Sequence, residues 1–463
     1  MRPVHLFFSC ICFWLQFQVY GQQLPTFRGL RFDEDYTSLK NDSVEKNFYN
    51  KLKFISLNKS ASVHLSIGGE IRQEFDAFKN EDWGIKRLGQ NNFHLQRYNL
   101  HADLHIGNHF RFFSQLRSAL QNGRKDGPRP IDQDNMNVQN LFAEYSLMQS
   151  TNQKLYVRFG RQEMFFGSQR LIALRDGPNL RFAFDAARIG YHKNNVVVDA
   201  IAASDIIVNT GIFDNKRTKK INLWGLYSSI NFKSMPNTSI DLYYLGIHRP
   251  TVRYEEGAGK EARQSAGARL WNKSATFNYD VETVIQWGKF NSRSILAWTA
   301  SSSIAYTINP AKKQATLIGL KTDVISGDGR LNDGKLGTFN ALYPKAGYFG
   351  FDPQVGPANL IDIHPFFTQQ INEKLSFQLD AVMNWRYSLK DGIYRPSGAF
   401  NLPGGSSKNR YIGTVYLGQI TYDFNPFLAA DFGIQYFNTG KFISDIGGNR
   451  NAILTNTRIM FKF

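Results

Sequence analysis

The chain has 463 residues, of which 42% are apolar, 20% charged and 14% aromatic, and its formal net charge is +17. Disordered chains are poor in aromatics, so 38 Phe and 21 Tyr exclude disorder. A mean hydropathy of −0.37, with no apolar run of ~18 residues after the opening segment, excludes a helical membrane protein.

The chain opens MRPVHLFFSCICFWLQFQVYGQQ. A basic residue, a short apolar stretch and a small residue before polar ones predict a secretory signal peptide over 1–21, cleaved after Gly21. Both cysteines, Cys10 and Cys12, lie inside it. The apolar run continues past both, which argues against a lipoprotein anchor. The mature chain therefore has no disulfide and needs a large core or a closed sheet. With Arg2 removed its net charge is +16. Such an excess favours anionic partners. A secreted chain rarely meets nucleic acid, which leaves acidic polysaccharide, lipid headgroups and small organic anions.

Residues 22–61 form an N-terminal segment with one short helix predicted in 47–57. From residue 62 to the end the pattern has period two. In 62–76, Val63, Leu65, Ile67, Ile71 and Phe75 alternate with His64, Ser66, Glu70, Arg72, Glu74 and Asp76. Alternate residues of a strand point to opposite faces, so one face is apolar and the other fully charged. In 92–108, Tyr98, Leu100, Ala102, Leu104 and Ile106 oppose Arg97, Asn99, His101, Asp103 and His105. In 110–120, Phe110, Phe112, Leu116 and Leu120 oppose Arg111, Gln115 and Arg117. In 155–162, Leu155, Val157 and Phe159 face out, whereas Tyr156, Arg158 and Gln162 face in. In 374–388, Leu375 through Tyr387 alternate with Ser376, Gln378, Asp380, Asn384 and Arg386. The phasing is less clear in 221–232 and 294–308, where both faces are partly apolar.

Several of these stretches keep phase longer than soluble strands of ~5–6 residues and match the ~9–11 residues that cross a membrane. Aromatics at the stripe ends suit interfacial girdles. Tight reversals are marked by Gly107-Asn108, Asn194-Asn195, Asn278 and Asn425-Pro426. Longer gaps fall at 122–136, 164–181, 208–218, 250–262, 327–357 and 388–407. The chain ends TRIMFKF, with Ile459, Phe461 and Phe463 on one face. The pattern predicts an all-β fold over 62–463: a transmembrane antiparallel β-barrel of about 18 strands, within 16–18. No linker divides it.

The densest polar segment, 158–188, carries Arg158, Arg161, Arg170, Arg175, Arg181 and Arg188 with Glu163, Asp176 and Asp185. Guanidinium groups grip carboxylates in bidentate geometry and keep their charge at neutral pH, so a cluster inside a barrel makes a path for anions. They serve equally as partners of wall acids. This segment resembles the signature of alginate export porins of Gram-negative outer membranes. So do LRFDEDYTSL (30–39), GGEIRQEFD with Asp82-Trp83-Gly84, and the Gly-rich stretch 327–360. The resemblance covers roughly 28–463. It implies 18 strands and a lumen rich in Arg and Asp, through which an acidic polysaccharide leaves the cell. Onto the matching segment it carries Arg158, Arg161, Arg170, Arg175, Asp176, Arg181 and Asp185 as candidate lumen or loop residues. Arg72, Arg97 and Arg117, on the charged strand faces, complete the candidate path. The expected partners are acidic polysaccharide or oligosaccharide, outer-membrane lipid and periplasmic export components, without nucleic acid, for a monomer.

Other chemistries fit the spacing poorly. His101, Asp103 and His105 share a strand face. Residues two apart lie ~7 Å apart, so the histidines are about 13 Å apart and too distant to share an ion. Glu70, Glu74 and Asp76 interleave with Arg72 as wall charges do, rather than as a glycosidase pair. Gly68-Gly69 and Gly404-Gly405 open no helix that would cradle phosphate. No enzyme, metal or cofactor is expected. The alternatives are a general or small-anion porin and a secreted all-β lectin or polysaccharide-degrading enzyme. The stretch 327–357 mixes hinge-like glycines with Phe339, Leu342, Tyr343, Tyr348, Phe349 and Phe351. It is expected to be ordered against the barrel mouth or inside it.

Overall fold

A computed structural model describes residues 27–40, 47–86, 88–235, 237–312, 314–405 and 407–463. The expected signal peptide, with Cys10 and Cys12, lies outside the described residues. No helix among them is long and apolar enough to cross a membrane. The chain crosses with strands instead.

Eighteen strands form the wall: β1 Val63–Lys79, β2 Gln90–Ile106, β3 Phe110–Asn122, β4 Asp134–Ser150, β5 Gln153–Gln162, β6 Phe184–Lys193, β7 Val196–Ile207, β8 Lys216–Asn231, β9 Thr238–Tyr254, β10 Gly257–Asn272, β11 Phe277–Phe290, β12 Arg293–Ile308, β13 Thr316–Ile325, β14 Leu360–Gln370, β15 Leu375–Arg386, β16 Tyr411–Asn425, β17 Leu428–Thr439 and β18 Ala452–Lys462. Each pairs antiparallel with its chain neighbours. The last returns to the first, from Glu70↔Lys462 to Lys79↔Ile453. Closure leaves no unpaired edge, which a strand in lipid could not tolerate.

The alternation sorts the side chains as the sequence requires. Ile71, Phe75, Phe159 and Leu296 point outward and are exposed, whereas Arg72, Arg97 and Arg263 point inward and are almost wholly buried. Lipid on one side and fixed charge on the other dictate this inversion of a soluble protein. Turns at one end are as short as Thr151-Asn152 and Asn194-Asn195; the other end carries the long loops. Short periplasmic turns and long outer loops are the rule for such barrels.

Two boundaries differ from expectation. Residues 250–262 are not a loop, because β9 and β10 run on to a turn at Glu255-Glu256. Strands of 16–17 residues exceed the bilayer, and above it the outer face no longer needs apolar residues. Ladder bonds persist there while alternation disappears. The reversal expected at Asn278 falls at 273–276, with the Asn278 side chain accepting from the Ser274 N–H at 2.8 Å. A further outer connection, 440–451, holds helix α2, Lys441–Asp445, which follows helix α1 at Phe48–Lys53 in chain order.

Three segments fill the barrel. The first is N-terminal. Arg31 donates to the carbonyls of Gly69 and of the last residue, Phe463, both at 2.9 Å. Phe32 packs edge-on against Phe113 at 5.4 Å and Phe142 at 5.0 Å. Helix α1 is capped by the Asn47 side chain, which accepts from the Asn50 N–H. It ends at Lys53, whose amine fills a notch in β1: a Cβ at Gly68 would come within 2.2 Å of it. The second and third segments are the loops 163–183 and 326–359. They meet in a parallel bridge, Ile172↔Tyr343. The Ala173 N–H donates to the Tyr343 carbonyl at 2.9 Å and the Tyr343 N–H to Leu171 at 2.9 Å. Phe339, Leu342, Tyr343 and Phe349 are buried, so the long aromatic stretch is ordered inside the barrel.

Candidate functional site

The loop 163–183 delivers charge to the charged faces of β1 and β2. Arg97 bridges two acids: Nε donates to Glu70 at 2.9 Å and Nη2 to Asp176 Oδ1 at 2.7 Å. Arg181 donates to the same Asp176 oxygen at 2.7 Å and lies 3.9 Å from Glu163. Arg72 holds the turn itself, donating to the Asp176 carbonyl at 2.9 Å, the Pro178 carbonyl at 3.2 Å and Asn179 Oδ1 at 3.2 Å. It also pairs with Glu74 at 3.4 Å, which Arg458 of β18 grips at 2.8 Å. The Asp176 side chain is 51% exposed to the lumen, whereas both of its arginines are nearly buried. Enclosure opposes its ionisation, but Arg181 and Arg97 prevail and hold the carboxyl well below the usual range. The result is two fixed cations joined by one water-facing carboxylate.

The other candidates lie elsewhere. Arg117 pairs with Asp134 and Gln139 inside the wall. Arg158 donates to Glu144 Oε2 at 2.8 and 2.5 Å and covers Phe32 and Phe142 at 4.6 and 4.4 Å, so it supports the N-terminal segment. Arg170 ties loop to wall through Asp323 at 2.7 Å and Glu282 at 3.3 Å. Arg161 and Asp185 do not line the lumen. They pair with each other at 2.9 Å and sit opposite in register. They share the outward side of β5 and β6 with Phe159 and Ala187. The segment reads as one polar block because its apolar phase stops above the membrane, where outward positions accept charge.

Arg175 stands apart from this network. Its backbone is left-handed (φ 54°), costly for a branched-chain-free but bulky residue. The strain turns consecutive side chains to different places: Asp176 into the arginine cluster and Arg175 into a cavity of about 290 Å³ toward the outside. The cavity is lined by Glu74, Asp76 and Pro178 and by residues of the loops 326–359 and 387–410. The guanidinium lies over the Phe182 ring at 4.3 Å. Burial lowers it to about 10, Asp132 opposing and Arg129 adding to the fall, so it stays charged at neutral pH.

The sequence pattern of the alginate export family matches residues 63–454. The chain belongs to the alginate export family. It is an outer-membrane β-barrel porin of the Gram-negative type. Comparison with curated protein sequences returned no match. Among solved structures, a BenF-like porin from Pseudomonas fluorescens Pf-5 is similar at a TM-score of 0.58 and 9% identity, over 86% of this chain and 98% of that one. Pseudomonas aeruginosa OccK8 (OprE) gives 0.57 at 10%, over 86% and 98%. Pseudomonas aeruginosa OpdK, solved with vanillate, gives 0.56 at 11%, over 86% and 98%. At such identities the likeness speaks for the barrel alone. Within this alginate export barrel, Glu70, Glu74 and Arg458 join the charged network and Arg31 ties the N-terminal segment to the wall, although sequence reasoning did not place them in the candidate path. For the first three the signal was present: each occupies the polar phase of its strand.

Proposed function

We propose that this porin passes an acidic polysaccharide of the alginate kind, using its inward arginines as successive shallow anion sites. The observation that carries the reading is Asp176, exposed in the lumen between Arg97 and Arg181. A uronate carboxylate has the same charge and the same bidentate shape as Asp176. It can replace that carboxylate on either guanidinium without leaving a buried charge unpaired. Competition by Asp176 keeps each site weak, and weak multiple sites are what transit requires. Family membership supports a polysaccharide cargo.

The second reading is a small-anion porin. It is favoured by the likeness to OpdK, which was solved with the carboxylate vanillate, and by the depth to which the two loops fill the barrel. Planar-bilayer recordings separate the two. A polymer conduit shows current interruptions with added polyuronate that weaken in Arg97→Gln. A sealed barrel, or a pore indifferent to charged sugars, refutes the first reading; block by small carboxylates alone favours the second.

A further inference from the structure

The cations around the outer cavity are neutralised, with one exception. Asp82 holds Lys86 at 2.9 Å and Arg395 at 2.5 Å. Arg124 is paired with Glu81 and Asp126, and Arg129 with Asp132 at 2.6 Å and Asp352 at 2.7 Å. Arg175 has no ion pair or hydrogen bond to protein among the described residues; its guanidinium stacks on the face of Phe182. Asp132, the acid nearest in electrostatic effect, is committed to Arg129 and to the Asn179 N–H at 2.8 Å. Yet Arg175 is only 8% exposed. A buried guanidinium with unused donors, aimed into a cavity, offers an anion both charge and hydrogen bonds.

The rest of the cavity narrows the chemistry. Asp76 and Asp126 present carboxyl oxygens, while Phe351, Pro353, Pro396 and Ile131 present apolar faces. A simple inorganic anion has no hydroxyl to donate to these acids and would leave the apolar faces uncovered. A sugar acid satisfies all three: carboxylate on Arg175, hydroxyls donating to Asp76 and Asp126, and the C–H face of the ring on the aromatic and proline surfaces. The volume, about 290 Å³, is at the low end for small-molecule sites of ~300–1,000 Å³, which suits one or two sugar rings.

We propose that the Arg175 cavity is a binding site for a uronic acid unit, an outer station separate from the Arg97–Asp176–Arg181 cluster. The proposal rests on the acidic-sugar reading above and adds a site to it. Because Arg175 and Asp176 are consecutive, a chain engaging Arg97 or Arg181 reaches the outer station across a single residue of the loop.

The test is binding of a galacturonate trimer to the detergent-solubilised full-length protein by calorimetry, with maltotriose and sulfate as neutral and simple-anion controls. The parent, Arg175→Gln, Arg175→Lys and Arg97→Gln are compared, each checked for heat-modifiable migration. The expected result is at least a tenfold loss of trimer affinity in Arg175→Gln, partial recovery in Arg175→Lys, and no maltotriose binding. Unchanged trimer affinity in Arg175→Gln with a loss in Arg97→Gln overturns the outer station and leaves the transport reading standing. Sulfate binding as tight as the trimer overturns the sugar-acid assignment. No trimer binding to the parent overturns both.

Discussion

Replacing Phe32 by Ala should weaken the hold of the barrel on the N-terminal segment while leaving the barrel intact. Phe32 is 2% exposed and packs with Phe113, Phe142, Leu30 and Leu174, with Arg158 across its ring at 4.6 Å. Truncating a buried Phe costs about 3–5 kcal/mol. Lumen water can enter the gap, so the lower figure applies, about 3 kcal/mol. That changes the ratio of docked to undocked segment by roughly a hundredfold. The remaining anchors include the two charge-assisted hydrogen bonds from Arg31, one from Arg111 to the Phe32 carbonyl and one from Arg181 to the Gly29 carbonyl; at about 1.5–3 kcal/mol each they keep most molecules docked. Trypsin cleavage after Lys51 and Lys53 in solubilised protein reads the undocked fraction when opening is fast relative to cleavage. It should rise by roughly a hundredfold, and brief openings to a higher conductance should become more frequent with it. Heat-modifiable migration should stay as in the parent, because Phe32 takes no part in the strand ladder. Parental cleavage together with parental conductance would refute the idea that this contact holds the segment in the lumen.

Deleting 331–350 removes the buried Phe339–Tyr343 stretch that bridges to loop 163–183, so conductance should increase; normal assembly with unchanged conductance would reduce the loop to a cover. Arg161→Gln should leave anion selectivity as it is, since its side chain faces outward with Asp185, whereas Arg97→Gln should lower it; equal reversal-potential shifts in the two variants would contradict the assignment of faces. Burial, with Arg31 adding, lowers Lys53 to about 7, Glu34 and Asp103 opposing. Between that value and its ordinary 10.5 the undocked lysine holds a proton that the docked one lacks. Docking of helix α1 should therefore strengthen as pH rises from about 7 and be weakest below it. Hydrogen exchange across 48–53 between pH 6 and 9, corrected for intrinsic rates, should show this slope and lose it in Lys53→Met; a slope that persists in the variant sinks the assignment.

The wall of this protein was legible in its sequence. Lipid outside and charge inside impose period two, and that constraint acts on each strand locally. It placed Ile71 outside and Arg72 inside with no knowledge of the neighbouring strand, and it set the strand number at about 18. The family resemblance was carried by short ordered motifs and needed no geometry either. The readings failed where the constraint lapses. Above the bilayer the outer face is free to be polar, so the ends of β9 and β10 looked like a loop, and Arg161 and Asp185 looked like lumen residues.

What the sequence alone determined is therefore the barrel, its faces and the stock of charge on each. Only the tertiary structure decided which charges are satisfied. Arginines are alike in a string of letters. Their roles separate when folding sets Asp176 between Arg97 and Arg181, closes Arg158 over Phe32, and leaves Arg175 facing a cavity with no carboxylate paired to it. Arg97 lies 79 residues from Asp176 and Phe32 lies farther still from Arg158 along the chain, and Coulomb interactions decide by distance in space. Period two cannot encode that distance, because it specifies the face of a strand and not what the loops bring to it.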